Sequence, residues 1–120
     1  MEAAGSAHVA LKADSFHMNI EETEFSSALR SAAPVLRHIH LADNNRMAPG
    51  MGHLDLTGFL RTLLDIGYNG AIAMECGVQS PDSYGRNAFT TDSRTFDAYA
   101  KKAVATLKNI EVRLGAKASV

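Results

Sequence analysis

The chain has 120 residues, with 12 lysines and arginines against 13 aspartates and glutamates and a formal net charge of −1. That length suits one domain, and the balanced charge excludes the clustered basic surface that broad phosphate contacts need, so no nucleic-acid partner is expected. No apolar run approaches the about 20 residues of a membrane span, and MEAAGSAH at the start has no apolar core of a signal peptide. The single cysteine, Cys76, cannot form an internal disulfide, and a reducing, cytoplasmic setting is expected.

In chain order, HVALKAD at 8–14 alternates as a strand, with Val9, Leu11 and Ala13 on one face and Ala10, Lys12 and Asp14 on the other. A short helix is predicted over 22–32, with Phe25 and Leu29 one turn apart and Pro34 ending it. Residues 35–41 read as a second strand, placing Leu36, His38 and His40 on one face and Ile39 and Leu41 on the other. DNNRMAPGMGH at 43–53 is rich in Gly, Pro and Asn and reads as a long loop. Asp55 then suits an N-cap, Leu56, Phe59, Leu60, Leu63 and Leu64 follow helical spacing, and Gly67 suits the position past the helix end. Residues 70–75 read as a third strand, with Ala71, Ala73 and Glu75 on one face and Ile72 and Met74 on the other; in each strand the more aliphatic face is expected to pack on the helices and the other to point into the barrel. A second loop spans roughly 76–91, and a last helix starts near Asp92 with an apolar stripe of Phe96, Tyr99, Ala103, Leu107, Ile110 and Leu114.

The order βαβαβα implies right-handed crossovers and a parallel sheet. Each strand ends in a chemically capable residue: Asp14, His40 and Glu75. In a parallel α/β barrel the C-terminal strand ends surround one mouth, where active sites sit. Two carboxylates and an imidazole converging there suit a hard or borderline divalent ion such as Mn²⁺ or Mg²⁺. The fold expected is therefore α/β, a partial TIM (β/α)8 barrel of about three βα units with parallel strands. A full barrel has eight units and about 250 residues. Three units leave two open sheet edges and an uncovered interior face, so either another chain supplies the rest or the chain associates with itself as a homo-oligomer.

Blander roles compete for several of these residues. Asp14 or Glu75 alone serves equally well as a helix cap or in a surface ion pair; shared parity with His40 favours metal binding. His38 suits a packed, hydrogen-bonded histidine, and His53 suits a loop-fixing one. Lys12 faces the barrel interior, where an unpaired charge is costly. Cys76 suits packing rather than nucleophilic chemistry, and Glu21 and Glu22 suit a charged helix start.

DSFHMNIEE at 14–22 resembles the signature of the ketose 3-epimerases, the D-tagatose and D-psicose 3-epimerase group of the xylose-isomerase-like TIM barrels. HIHLADNNRMAPGMGHLD at 38–55 and GYNGAIAMEC at 67–76 continue the resemblance in the same order, over about residues 8–114. Ser15 stands where that signature has Thr. The resemblance implies that Asp14, His40 and Glu75 are three of four metal ligands, with Mn²⁺ the expected ion and Mg²⁺ or Co²⁺ as alternatives. It implies that His17 and Arg46 contact the ketose oxygens, and that Glu75 is one of two catalytic carboxylates. The second, a glutamate ending the preceding strand, is not in this sequence, so residues 1–120 are expected to be the C-terminal segment of a sugar isomerase/epimerase domain.

The implied activity is isomerase chemistry on a small-molecule sugar, through proton abstraction next to a carbonyl and an enediolate. Inversion at carbon 3 needs an acid and a base on opposite faces, so the chain is expected to be catalytic only when completed by the missing N-terminal half of the barrel. Two alternatives stand: a non-catalytic barrel fragment that folds by oligomerising, and another superfamily member such as a hydroxypyruvate or inositol-pathway isomerase. An endonuclease-IV-like repair enzyme needs a richer His/Asp/Glu cluster and a basic surface that this sequence does not display.

Overall fold

The computed structural model describes residues 6, 8–77 and 93–115. Its elements run β1 (Leu11–Asp14), α1 (Ser15–Glu21), α2 (Phe25–Ala32), β2 (Leu36–Leu41), α3 (Leu56–Asp65), β3 (Ala71–Met74) and α4 (Ser93–Arg113). The strands form one parallel sheet in the order β1-β2-β3, as expected of strands joined by helical crossovers.

Strand alternation builds the core. Ile39 and Leu41 of β2 are fully buried against Leu29 of α2 and Phe59 and Leu63 of α3. Helices α2 and α3 thus cover one face of the sheet, while His38 and His40 take the opposite parity. Asp55 caps α3 as expected, its carboxylate accepting from the Gly58 N–H at 2.9 Å. The helix ends in a Schellman arrangement. Tyr68 N–H donates to the Leu63 carbonyl, and Gly67 N–H donates to that of Leu64. Gly67 sits at φ +68°, a conformation a Cβ disfavours.

The structure alters four readings. First, Leu36 does not share a face with His38 and His40; it is buried in the core with Ile39 and Leu41. The pairing explains why: Leu11 opposes Leu36, but Lys12 opposes His38, so Arg37 is an extra residue on β2. Its guanidinium folds back onto the carbonyls of Leu36 at 2.9 Å and Pro34 at 3.1 Å. Such a bulge bends a strand and re-aims the side chains beyond it.

Second, the helix expected over 22–32 is α2 alone, and a further helix, α1, follows β1 with no gap. Third, Val9 and Leu11 are exposed, so only Ala13 of their predicted face is buried. Fourth, Ile72 and Met74 are exposed rather than covered by a helix. Helix α4 packs on α3 instead, burying Ala103 and Ile110 while Phe96 stays exposed. The second loop lies outside the described residues from 78 onward, as does the expected helix start at Asp92. Among the described residues no helix is long and apolar enough to cross a membrane.

These burial differences predict unequal costs for core truncation. Phe59→Ala should destabilise the chain by about 3–5 kcal/mol, whereas Val112→Ala on the exposed side of α4 should stay within about 0.5 kcal/mol. Urea denaturation measures both, and equal losses would contradict the core assigned around Phe59.

Candidate metal centre

Asp14, His40 and Glu75 come together at one edge of the sheet, each offering a ligand atom within 4.8 Å of the others. Asp14 and His40 are direct partners across β1 and β2. His40 opposes Ala73 of β3, and Glu75 lies two residues on, on the same face, its N–H still bonded to the Leu41 carbonyl at 3.0 Å. The bulge at Arg37 makes this possible. Without the extra residue, the Leu11–Leu36 pairing would carry Asp14 opposite Ile39 rather than His40.

Each side chain is separately constrained. Asp14 is buried and caps α1, with Oδ1 accepting from the Phe16 N–H at 3.0 Å and more weakly from the His17 N–H at 3.5 Å. That capping fixes the carboxylate and leaves Oδ2 facing the cluster. His40 Nδ1 lies 2.8 Å from Glu75 Oε2 and 3.4 Å from Lys12 Nζ. Arg46 reaches in from the loop after β2. Its Nη1 donates to Asp14 Oδ2 at 3.1 Å and its Nη2 to Glu75 Oε2 at 2.5 Å.

These neighbours bring the Glu75 carboxyl down to about 2 from an ordinary 4.5. The bond with His40 contributes most, the Arg46 charge adds to it, and partial desolvation opposes it. Glu75 is therefore ionised at neutral pH although another carboxylate stands beside it.

The loop that carries Arg46 is organised by Asp43, a buried residue the sequence reading left without a role. Its carboxylate accepts from the backbone N–H groups of Asn44 at 2.9 Å, Gly50 at 2.8 Å and Leu54 at 2.9 Å. Burial pushes its carboxyl up, but bonds from Leu54, Asn44, Gly52 and Gly50 outweigh that and hold it below the usual range. A Cβ on Gly52 would stand 2.4 Å from Asp43 Oδ1, so the loop can close on Asp43 only with glycine there. An Asp just past a strand end, at the head of a loop rich in Asn and Gly, was the available signal for such a hub. Ser15 was also missed: its hydroxyl donates to the Ala42 carbonyl at 2.7 Å and accepts from the Ala42 N–H at 3.0 Å, tying α1 to the end of β2.

Among the other candidates, His17 stands on the first turn of α1, mostly exposed, with Nε2 4.0 Å from Asp14 Oδ2. It lines a groove of about 470 Å³ together with Lys12, Asp14, Met18, Arg46 and Glu75. His38 packs edge-on against His40, with ring centroids 5.1 Å apart. His53 holds the loop, its N–H donating to Asn44 Oδ1 at 2.7 Å and its Nε2 pairing with Asn44 Nδ2 at 2.9 Å. Burial pushes the Cys76 thiol up, with the nearby Asp43 charge adding to it against Arg46, which disfavours a thiolate.

Two carboxylates and one imidazole, with no thiolate among them, fit a hard or borderline divalent cation. The two carboxylates face each other with Arg46 bonded to both and Lys12 Nζ 3.4 Å from His40 Nδ1, so a cation entering the cluster would compete with two positive side chains.

Residues 1–109 match the model of the xylose isomerase-like TIM barrel family. The chain is 48% identical over 71 residues to a D-psicose 3-epimerase of Enterocloster bolteae, covering 59% of this chain and 24% of that protein. It is 41% identical over 81 residues to a D-psicose 3-epimerase of Agrobacterium fabrum, covering 68% and 28%. Among solved structures, it superposes with a TM-score of 0.72 and 33% identity on a D-psicose 3-epimerase with D-tagatose from Clostridium cellulolyticum, covering 85% of this chain and 38% of that one. The chain thus spans about a quarter of the length of these curated relatives.

The lowered Glu75 carboxyl predicts a signed pH effect. Its stabilising contribution is complete above the ordinary value of 4.5 and is lost as pH falls towards about 2. Thermal melts across that range should show wild type losing stability relative to Glu75→Gln as pH falls. Parallel curves for the two proteins would contradict the contacts assigned to Glu75.

Proposed function

The chain belongs to the xylose isomerase-like TIM-barrel family, and from that premise we propose that it is the C-terminal segment of a metal-dependent ketose 3-epimerase. The observation that carries this reading is the convergence of Asp14, His40 and Glu75 at one sheet edge. Its relatives' names supply the sugar class.

In this reading Asp14, His40 and Glu75 hold a divalent cation, Mn²⁺ in first place, with Mg²⁺ and Co²⁺ as alternatives. A cation held there would supply positive charge to the oxygens next to the reacting carbon. Glu75, ionised at neutral pH, takes the proton from carbon 3 on one face of the ketose. Arg46 and His17 donate to the oxygens flanking that carbon; both line the groove beside Glu75. Returning the proton on the opposite face requires a second acid. Within this reading that group belongs to the part of the barrel preceding these strands, so the chain alone carries half of the proton machinery.

The open edges of β1 and β3, with Val9, Leu11, Ile72 and Met74 exposed along them, support association of copies of the chain in a homo-oligomer. The single cysteine of the sequence supports a reducing, cytoplasmic setting.

Two measurements check this. In D₂O with Mn²⁺ and D-fructose or D-tagatose, the isolated chain should form little epimer and at most exchange the carbon-3 proton. Joined to the N-terminal part of the Agrobacterium fabrum relative in place of the matched region, it should epimerise the ketose, and Glu75→Gln should lower that rate at least about 100-fold. A folded chimera with no activity on either sugar would refute the function. Light scattering at micromolar concentration should give a mass above the 12.9 kDa of one chain; a compact monomer would refute the assembly.

A further inference from the structure

A substrate-contacting role alone does not explain how Arg46 is built into the site. Its backbone is left-handed at φ 65°, a conformation that a residue with a Cβ disfavours. Two hydrogen bonds hold it there: its N–H donates to the Asp43 carbonyl at 3.0 Å, and the Gly77 N–H donates to its own carbonyl at 2.7 Å. The first comes from the loop after β2 and the second from the segment after β3. The Phe16 ring lies 4.9 Å from the guanidinium carbon, and this cation–π contact fixes the plane of the fork.

The oxygens Arg46 meets are the ones that matter. Asp14 Oδ1 serves the cap of α1, and Nη1 makes its shorter bond, 3.1 Å against 3.3 Å, to Oδ2. Nη2 takes Glu75 Oε2, the same oxygen that faces His40 Nδ1 at 2.8 Å. Asp14, His40 and Glu75 would hold a cation, and these two oxygens are turned towards the cluster. The guanidinium and a metal ion would stand within a few ångströms of each other, a repulsive arrangement at an exposed site and more so at a half-buried one.

We propose that Arg46 is an internal competitor for the metal: its guanidinium and a divalent cation are alternative charge partners of Asp14 Oδ2 and Glu75 Oε2. Metal entry displaces the guanidinium into the adjoining groove, where its donors become available to an oxygen-rich ligand. The inference rests on reading the cluster as a metal centre. It makes Arg46 a positioning residue for the carboxylates before it is a ligand contact, and it accounts for a strained arginine clamped from two loops.

The test is Mn²⁺ titration of the 120-residue chain, followed by calorimetry and by the electron paramagnetic resonance of the free ion, for wild type, Arg46→Gln and Arg46→Lys. Removing the competing charge should tighten Mn²⁺ binding about tenfold in Arg46→Gln. Arg46→Lys keeps the charge and should stay within about threefold of wild type. Melting adds a second readout. Without added metal Arg46→Gln should melt below wild type, because its carboxylates lose their partner, and saturating Mn²⁺ should close that gap. Unchanged or weaker Mn²⁺ binding in Arg46→Gln, with a gap that persists in metal, would overturn the competition while leaving the metal centre standing. A wild-type chain that neither binds Mn²⁺ nor changes its melting temperature would overturn the metal centre, and the competition with it.

Discussion

Everything proposed for this chain depends on the parallel register of β1, β2 and β3. Asp14 pairs with His40, and His40 with Ala73, two residues before Glu75. In a parallel sheet paired residues point to the same side, so three residues separated by 26 and 35 positions in sequence are brought to one edge and one face. A one-residue slip would turn any of them to the helix side. The extra residue Arg37 sets that register, because it separates the Leu36 that enters the core from the histidines that leave it. Burial of Leu36, Ile39 and Leu41 against α2 and α3 therefore does two things at once. It supplies the core, and it holds His40 opposite Asp14.

Around that ladder the chain spends polar groups on holding the cluster still. Asp14 gives one oxygen to the cap of α1 and one to Arg46. Ser15 locks α1 to Ala42, and Asp43, next in the chain, gathers the loop that delivers Arg46. No buried side-chain nitrogen or oxygen among the described residues lacks a partner, so the edge is a satisfied network rather than loose charges. Such order at a sheet's C-terminal edge matches where barrel enzymes keep their chemistry. β3 and the free side of β1 have the opposite character, with Val9, Leu11, Ile72 and Met74 exposed.

Much of this was legible from sequence because period-two alternation carries direction. Once LKAD, HIH and IAME are read as strands, Asp14, His40 and Glu75 must share parity with the interior face. Asp55, the spacing of α3 and Gly67 are local signals with local causes, and they fixed that helix. Helix α1 was hidden because Phe16, Met18 and Ile20 alternate as a strand would, and Ile20 stays exposed, so no helical stripe exists to be seen. The bulge left only a short mark in the sequence: PVLRHIH breaks its alternation with two apolar residues, Val35 and Leu36, followed by two polar ones, Arg37 and His38, and the competition between Leu36 and His38 for the two faces decides where the extra residue falls. Exposure of Ile72 and Met74 depends on what covers β3, a tertiary matter. The Arg46 clamp depends on a left-handed backbone held by a local turn bond to Asp43 and a distant one from Gly77, and no residue pattern announces it.

One cation site at the strand ends is the proposal on which the function rests. Crystals of the chain soaked in Mn²⁺ and measured at the manganese absorption edge test it without relying on activity. One strong anomalous peak is expected, enclosed by Asp14, His40 and Glu75 and weakened sharply in His40→Ala. A peak at other residues, or an ordered cluster that gains no peak at saturating Mn²⁺, would contradict it.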